Sequence, residues 1–160
     1  MNRILFLDVD GVLNSSDFLR AIPKPEPGTI FVPSKLGIRH FDPADMIDPV
    51  RVERLNRIVR GLDVDVVVSS SWRHAYELEQ LEEFLKSRGY EGSLYDVTPK
   101  LSGHERHVEI KRWLSQLSGE PRFVVIDDDQ DAGVGFGHRY VQTVNGLEEE
   151  HVERARRILE

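Results

Sequence analysis

An α/β sandwich, three layers deep around a mostly parallel sheet, is the fold the sequence predicts. Three observations predict it. Short, continuously apolar runs suited to buried parallel strands alternate with stretches whose apolar residues recur at helical spacing. Three of those runs end abruptly in acids or serines, as strands do when they deliver polar groups to one edge of a sheet. The length, 160 residues, suits a single domain over 1–160 whose core needs no staples.

The elements follow in order. Residues 3–7 are an apolar run closed by Asp8-Val9-Asp10 and Gly11, hence a strand. Residues 14–48 lack clear periodicity and carry Pro23, Pro25, Pro27, Pro33 and Pro43, which predicts an irregular insertion. Pro49 opens a helix in which Val52, Leu55, Ile58 and Val59 recur at helical spacing, and Gly61 ends it. Residues 64–68 form a second strand, closing on Ser69-Ser70-Ser71. A helix over 74–88 follows, with Leu78, Leu81, Phe84 and Leu85 on one face and Gly89 as its stop; Ser71 is the expected cap. A short strand over 95–97 precedes a helix over 105–117, whose Ile110, Trp113, Leu114 and Leu117 share one face. Residues 123–126 make a third strong strand ending in Asp127-Asp128-Asp129. A glycine-rich loop (Gly133, Gly135, Gly137) leads to a weaker strand over 140–144, and a last helix turns Val152, Ala155, Ile158 and Leu159 inward.

Composition removes several functions. There is no cysteine, so disulfides, thiolate chemistry and cysteine-ligated zinc are excluded. No stretch approaches the roughly 20 apolar residues that span a bilayer. The apolar run at the start stops at Asp8, too soon for a secretion signal, so a cytoplasmic location and no membrane partner are expected. The net charge of −7 gives no overall attraction for nucleic acid, although clustered acids are open to neutralisation by a metal. His74, His104 and His107 lack a zinc-ligand pattern. No Lys-Ser/Thr pair follows the glycines, which speaks against a nucleotide P-loop.

If the strands are parallel neighbours, Asp8-Val9-Asp10, Ser69-Ser70 and Asp127-Asp128 meet at one edge. Each like-charge pair near 4 Å costs about 4 kcal/mol at an effective dielectric of about 20. Such a cluster must protonate or bind a cation, and all-oxygen donors favour Mg²⁺, with Ca²⁺ or Mn²⁺ as alternatives. On a regular strand Asp8 and Asp10 would share a face. One carboxylate can then attack phosphorus, while the other serves as acid and base. Ser69 or Ser70 can donate to the phosphoryl group, and Arg106 is the best-placed cation to balance its charge. Arg73 is a candidate contact for a substrate phosphate. Asp129 is expected in a loop or cap and Asp131 in a supporting role, while Trp113 reads as core.

These residues carry a resemblance. Leu5-Phe6-Leu7-Asp8-Val9-Asp10-Gly11-Val12-Leu13 looks like the first motif of the haloacid dehalogenase (HAD) superfamily, whose core is a Rossmann-like sheet. Val66-Val67-Val68-Ser69 resembles its second motif, and Val124-Val125-Ile126-Asp127-Asp128 its fourth. More narrowly, Ser69-Ser70-Ser71-Trp72-Arg73, Thr98-Pro99, Arg106 with Glu109-Ile110 and Trp113-Leu114, and Asp127-Asp128-Asp129 resemble small HAD domains of RNA repair proteins. Gly146-Leu147 before the last helix fits as well. The resemblance implies that Asp8 is the nucleophile and a Mg²⁺ ligand. It makes Asp10 the acid/base with its backbone carbonyl on the metal, and Ser69 the phosphoryl-orienting residue. Asp127 and Asp128 would complete the metal site. Arg106 fits the third motif, with Lys100 and Lys111 as substitutes. The short, proline-rich segment between the first two motifs implies a minimal cap and an open site.

The expected function is therefore a Mg²⁺-dependent phosphomonoesterase working through an aspartyl-phosphate, preferably on polynucleotide 3′-phosphate ends. A nucleotide or small-metabolite phosphatase is the alternative. A receiver-type phosphoacceptor or binding domain is the competing class, but it would lack a DxD at its first strand. The sequence sets no oligomeric state.

Overall fold

The computed structural model describes residues 3–23 and 42–160. Five strands form one all-parallel sheet in the order β3-β2-β1-β4-β5. They are β1 (Arg3–Leu7), β2 (Val64–Val68), β3 (Leu94–Val97), β4 (Arg122–Asp127) and β5 (Tyr140–Gln142). Helices α2 (Pro49–Val59), α3 (Leu78–Ser87), α4 (Arg106–Leu114) and α5 (Glu149–Leu159) flank it, and a short α1 (Ser16–Ala21) follows the first strand. The predicted α/β layering is what forms. No described helix is long and apolar enough to cross a membrane.

Alternation along the strands builds both faces. Leu5, Leu7, Val66, Val68, Val124 and Ile126 pack with Val52, Leu55, Leu81, Leu85, Val152 and Ala155, residues of α2, α3 and α5. The opposite residues, Ile4, Phe6, Val67 and Val125, pack with Ile110 and Trp113 of α4. Phe6 is fully buried there, edge-on to Trp113 at 5.4 Å and to Phe123 at 6.1 Å. One face thus carries the connections that step β1 to β2 to β3. The other carries α4, which returns the chain past β1 to start β4. The direction of strand addition reverses between β1 and β4, and open α/β sheets bind ligands in the crevice at that reversal.

Several boundaries differ from the expectation. The helix foreseen over 74–88 is split. A 3₁₀ turn spans Ser71–His74, and α3 starts only at Leu78, where Glu77 and Gln80 form a reciprocal capping box. The turn's cap is Ser70, whose Oγ accepts from the Trp72 N–H at 3.2 Å; Ser71 is exposed. Helix α4 stops at Leu114, so Leu117 packs on the core from the loop beyond it. The irregular 14–48 segment contains α1, which buries no side chain and so left no apolar period; Ser15 caps it. The last strand ends at Gln142, and Val144 is 89% exposed. The glycine-rich loop holds two 3₁₀ turns, Gln130–Gly133 and Gly137–Arg139. Within the segment expected to form a minimal cap, residues 24–41, with Pro25, Pro27 and Pro33, lie outside the described residues.

Phe6 bridges the central strand to α4 and β4, so its loss leaves a cavity where two layers meet. Phe6→Ala is expected to lower stability by about 3–5 kcal/mol. Urea unfolding should show a lower midpoint with an unchanged slope.

Candidate active site

Parallel register sets the site. Leu7 pairs with Val68 on one side and with Ile126 on the other, so the next residues, Asp8, Ser69 and Asp127, emerge side by side. Backbone bonds extend the row past the strand ends: Ser69 N to Leu7 O at 2.9 Å, Asp8 N to Ile126 O at 3.1 Å and Thr98 N to Val68 O at 3.0 Å. Asp8 and Asp127 are buried in this row, whereas Asp128 is exposed. Oxygen atoms of Asp8, Asp127 and Asp128 lie within 4.8 Å of one another.

Among the described residues, Arg106 is the cation that reaches them. Its Nη1 donates to Asp127 Oδ2 at 2.6 Å and lies 3.3 Å from Asp8 Oδ2. It opens α4, where its backbone N–H donates to Asp131 Oδ2 at 2.9 Å, so Asp131 satisfies a helix-end donor that Glu105 does not cap. Asp131 also meets the His107 ring at 3.1 Å, and Asp129 Oδ1 accepts from Asp131 N at 3.0 Å. Lys111 lies instead over the Phe136 ring, and Lys100 is exposed. His107, Glu105 and Asp131 form a second small group, while His74 and His104 are exposed and do not join it.

Burial dominates the electrostatics. It pushes Asp8 from 3.8 up to about 8, and neighbouring Asp127 adds to the rise despite Arg106. Burial also raises Asp127, against the pull of Arg106. Burial alone would lower Arg106, but Asp8 and Asp127 outweigh it and hold the guanidinium above its usual range.

Three observations fit a hard divalent cation here. Every donor is oxygen, as Mg²⁺ requires. Once Asp8 is ionised, three carboxylates face one guanidinium, an excess of negative charge that a divalent ion can neutralise. Gly11, at φ +75°, lies under the Asp128 carboxylate, and a Cβ at that position would overlap it. Beside the acids, Ser69 Oγ is buried without a hydrogen-bond partner among the described residues, as is Thr98 Oγ1. A polar oxygen left unpaired at the site edge is chemically suited to an incoming anion.

Asp10 departs from the expected shared face. The strand ends at Leu7, and the chain then turns, with Leu13 N donating to Val9 O at 2.8 Å. Asp8 is buried as a result, while Asp10 is exposed and its carboxylate stays out of the acidic trio. Two residues given no role in the sequence reading hold Asp10. Trp72 Nε1 donates to Asp10 Oδ2 at 3.1 Å, and Asn14 Nδ2 donates to Asp10 Oδ1 at 3.1 Å. Asn14 also accepts from Gly11 N at 2.8 Å and donates to Met46 O at 3.2 Å. Thr143 Oγ1 donates to Gly11 O at 2.7 Å, pinning the same loop from β5's end. A buried asparagine three residues beyond a DxDG run was the available signal for this support.

The two expected substrate contacts, Ser70 and Arg73, are engaged elsewhere. Ser70 is fully buried and caps the 3₁₀ turn. Arg73 is buried as well. Its Nε donates to Thr98 O at 3.1 Å, its Nη1 to Ser69 O at 3.1 Å and Ser70 O at 2.7 Å, and its Nη2 to the Glu109 carboxylate. Glu109 also accepts from Leu101 N at 2.9 Å. The pair ties the end of β2 to α4, and so Ser69 to the helix that carries Arg106. Burial pulls the Arg73 guanidinium down, and Glu109 opposes that.

Two outcomes follow. Glu109→Ala strands a buried guanidinium and is expected to cost about 3–5 kcal/mol in urea unfolding. Arg73→Ala should likewise act through stability. The second concerns pH. Asp8 keeps its proton to about pH 8 in the folded, metal-free protein but loses it near 3.8 when unfolded. The folded state therefore binds the extra proton, and stability falls as pH rises through that window; Asp127 acts in the same sense. Thermal melts in EDTA should show this fall, saturating Mg²⁺ should oppose it, and Asp8→Asn should flatten it.

A family model described as the HAD domain in Swiss Army Knife RNA repair proteins matches residues 4–152. No curated protein matches the chain. The match runs from β1, which delivers Asp8, through β4, which delivers Asp127, into α5, and the chain belongs to this family of HAD domains.

Proposed function

We propose that the protein is a Mg²⁺-dependent phosphomonoesterase that works through an aspartyl-phosphate and acts on polynucleotide 3′-phosphate ends. The observation that carries the reading is the buried Asp8 carboxylate, converging with Asp127 and Asp128 and flanked by Arg106. Membership of a HAD family associated with RNA repair supports it.

Asp8, Asp127 and Asp128 would hold the Mg²⁺, with the Asp10 backbone carbonyl. When bound, the ion would supply charge neutralisation for the phosphoryl group and would favour the ionised form of Asp8. An Asp8 oxygen forms a bond to phosphorus as the ester P–O bond breaks. Asp10, held by Trp72 and Asn14, gives its proton to the departing ester oxygen. Asp10, now a carboxylate, then takes a proton from water, whose oxygen attacks the phosphorus and releases phosphate and Asp8. Ser69 Oγ donates to a phosphoryl oxygen, and Arg106 balances the charge that develops there.

The net charge of −7 favours a smaller substrate, a nucleotide or metabolite, as the second reading. Phosphate release from an aryl phosphate and from a 3′-phosphorylated oligonucleotide decides between them. Both activities should vanish in EDTA and fall by at least about 10³-fold in Asp8→Asn, the order of loss when a covalent catalyst is removed. Preference for the oligonucleotide, weakening with salt, supports the nucleic acid end. Stable phosphorylation of Asp8 without turnover would instead indicate a phosphoacceptor domain.

A further inference from the structure

A cavity of about 540 Å³ opens at the end of the sheet opposite the acidic row. Arg122, His138, Arg139, Arg154, Arg157 and Ile158 line it. Separate segments deliver them: the start of β4, the 3₁₀ turn Gly137–Arg139 and the second half of α5. Arg122 is the first residue of β4 and Asp127 the last. Five steps of about 3.3 Å along the strand hold the cavity roughly 17 Å from the acids, so it is no extension of the candidate active site.

Its charge runs against that of the chain. The protein carries −7, yet four guanidiniums share this wall and no carboxylate lines it. Neighbouring arginines are neutralised: Arg51, Arg54 and Arg57 meet Glu148 or Glu149, and Arg156 meets Glu160 at 2.9 Å. Among the described residues, Arg122, Arg139, Arg154 and Arg157 form no such pair, although Glu120, Glu153 and Glu160 are close to them in sequence. Two of the four are held in place. Arg139 lies over the Phe123 ring at 4.6 Å, and Arg154 Nη2 donates to the Tyr140 carbonyl at 2.9 Å. Like charges gathered around one space repel one another, and an anion seated among them offsets that repulsion.

The donor set narrows the ligand. Guanidinium forks match the paired oxygens of a phosphate. One phosphate group brings at most about two negative charges, so a match to four guanidiniums needs two or more such groups on one molecule. The volume lies within the range of small-ligand pockets, which suits a short chain of phosphates rather than an extended polymer. With no carboxylate in the wall to hold a metal, the protein's own cations do the binding.

We propose that this cavity is a second anion site, which binds a compact oligophosphate on Arg122, Arg139, Arg154 and Arg157. It shares no residue with the surroundings of Asp8 and stands whether or not the protein is a phosphatase.

The test is calorimetric titration of the whole chain with sodium tripolyphosphate, in EDTA and about 150 mM salt, where long-range surface attraction is screened. One saturable site is expected, and orthophosphate should bind at least about tenfold more weakly. Arg157 is exposed, so Arg157→Glu should keep the thermal midpoint. It should weaken tripolyphosphate at least about tenfold, the order for losing a hydrogen bond to a charged group. If that variant melts early, Arg157→Gln takes its place, with a loss of the same order expected. Arg106→Gln should bind tripolyphosphate as the wild type does; loss there would put the anion at the acidic row and overturn the proposal. Adenosine triphosphate separates two sources of the same chemistry. Equal affinity points to an inorganic chain, and tighter binding to the phosphates of a nucleotide. The proposal also fails if nothing saturates, if orthophosphate or citrate binds equally well, or if affinity survives the Arg157 changes. An oligonucleotide that binds more tightly than tripolyphosphate, with affinity rising with its length, would make the patch a polymer track instead.

Discussion

The close approach of Asp8 and Asp127 in a buried row is the constraint on which the rest of the structure depends. Parallel pairing at Leu7, Val68 and Ile126 forces the next residue of each strand to the same edge. Two of those residues are acids with almost no solvent contact. Like charges in that position cost several kcal/mol at any realistic dielectric. The fold meets the cost in two ways: by the upward shift of Asp8 and by the guanidinium of Arg106. A bound divalent cation would relieve the same repulsion with both acids ionised.

Much of the surrounding structure serves this arrangement. Asp131 anchors the first turn of α4 and so fixes where Arg106 can reach. The Arg73–Glu109 pair ties the same helix to the end of β2, so Ser69 and Arg106 share one support. A buried ion pair is a weak contributor to net stability, yet removing one partner is costly. Its value here is positional: it holds elements from opposite sides of β1 to a common register. On the Asp10 side, Asn14 performs the equivalent task with uncharged groups, spanning Gly11, Asp10 and the Met46 carbonyl.

The strands and their acidic or serine-bearing ends were legible because both are local. An apolar run that stops in acids or serines declares a strand end, and alternation with helical periods declares a parallel sheet. What stayed hidden depends on contacts between distant residues or on exact element ends. Asp10 was placed on Asp8's face because nothing in Leu7-Asp8-Val9-Asp10 marks where the strand stops. Ser70 rather than Ser71 is the cap because a 3₁₀ turn, not an α-helix, follows β2. Arg73 reads in the sequence as a candidate contact for a substrate phosphate. Its partner Glu109 is 36 positions away, and only the fold shows that both are buried. Trp72 reaches Asp10 across 62 positions, and no periodicity encodes that.

The sheet order also makes the surroundings of Asp8 asymmetric. On the β4 side stand Asp127, Asp128 and the guanidinium of Arg106, all charged. On the β2 side stand Ser69, Trp72 and the apolar cavity beside Asp10. This division follows from topology, because α4 returns past β1 and brings its arginine to the β4 side, while the chain leaving β2 turns at once into the Trp72 segment. A phosphate monoester has the same asymmetry, with a dianionic head at one end of the scissile bond and a neutral alcohol at the other. A symmetric cage of charge would bind the head well and do nothing for the departing group. In the proposed reaction, charge on one flank of Asp8 and Asp10 against an apolar wall on the other would stabilise both ends of the breaking bond, each by the physics suited to it.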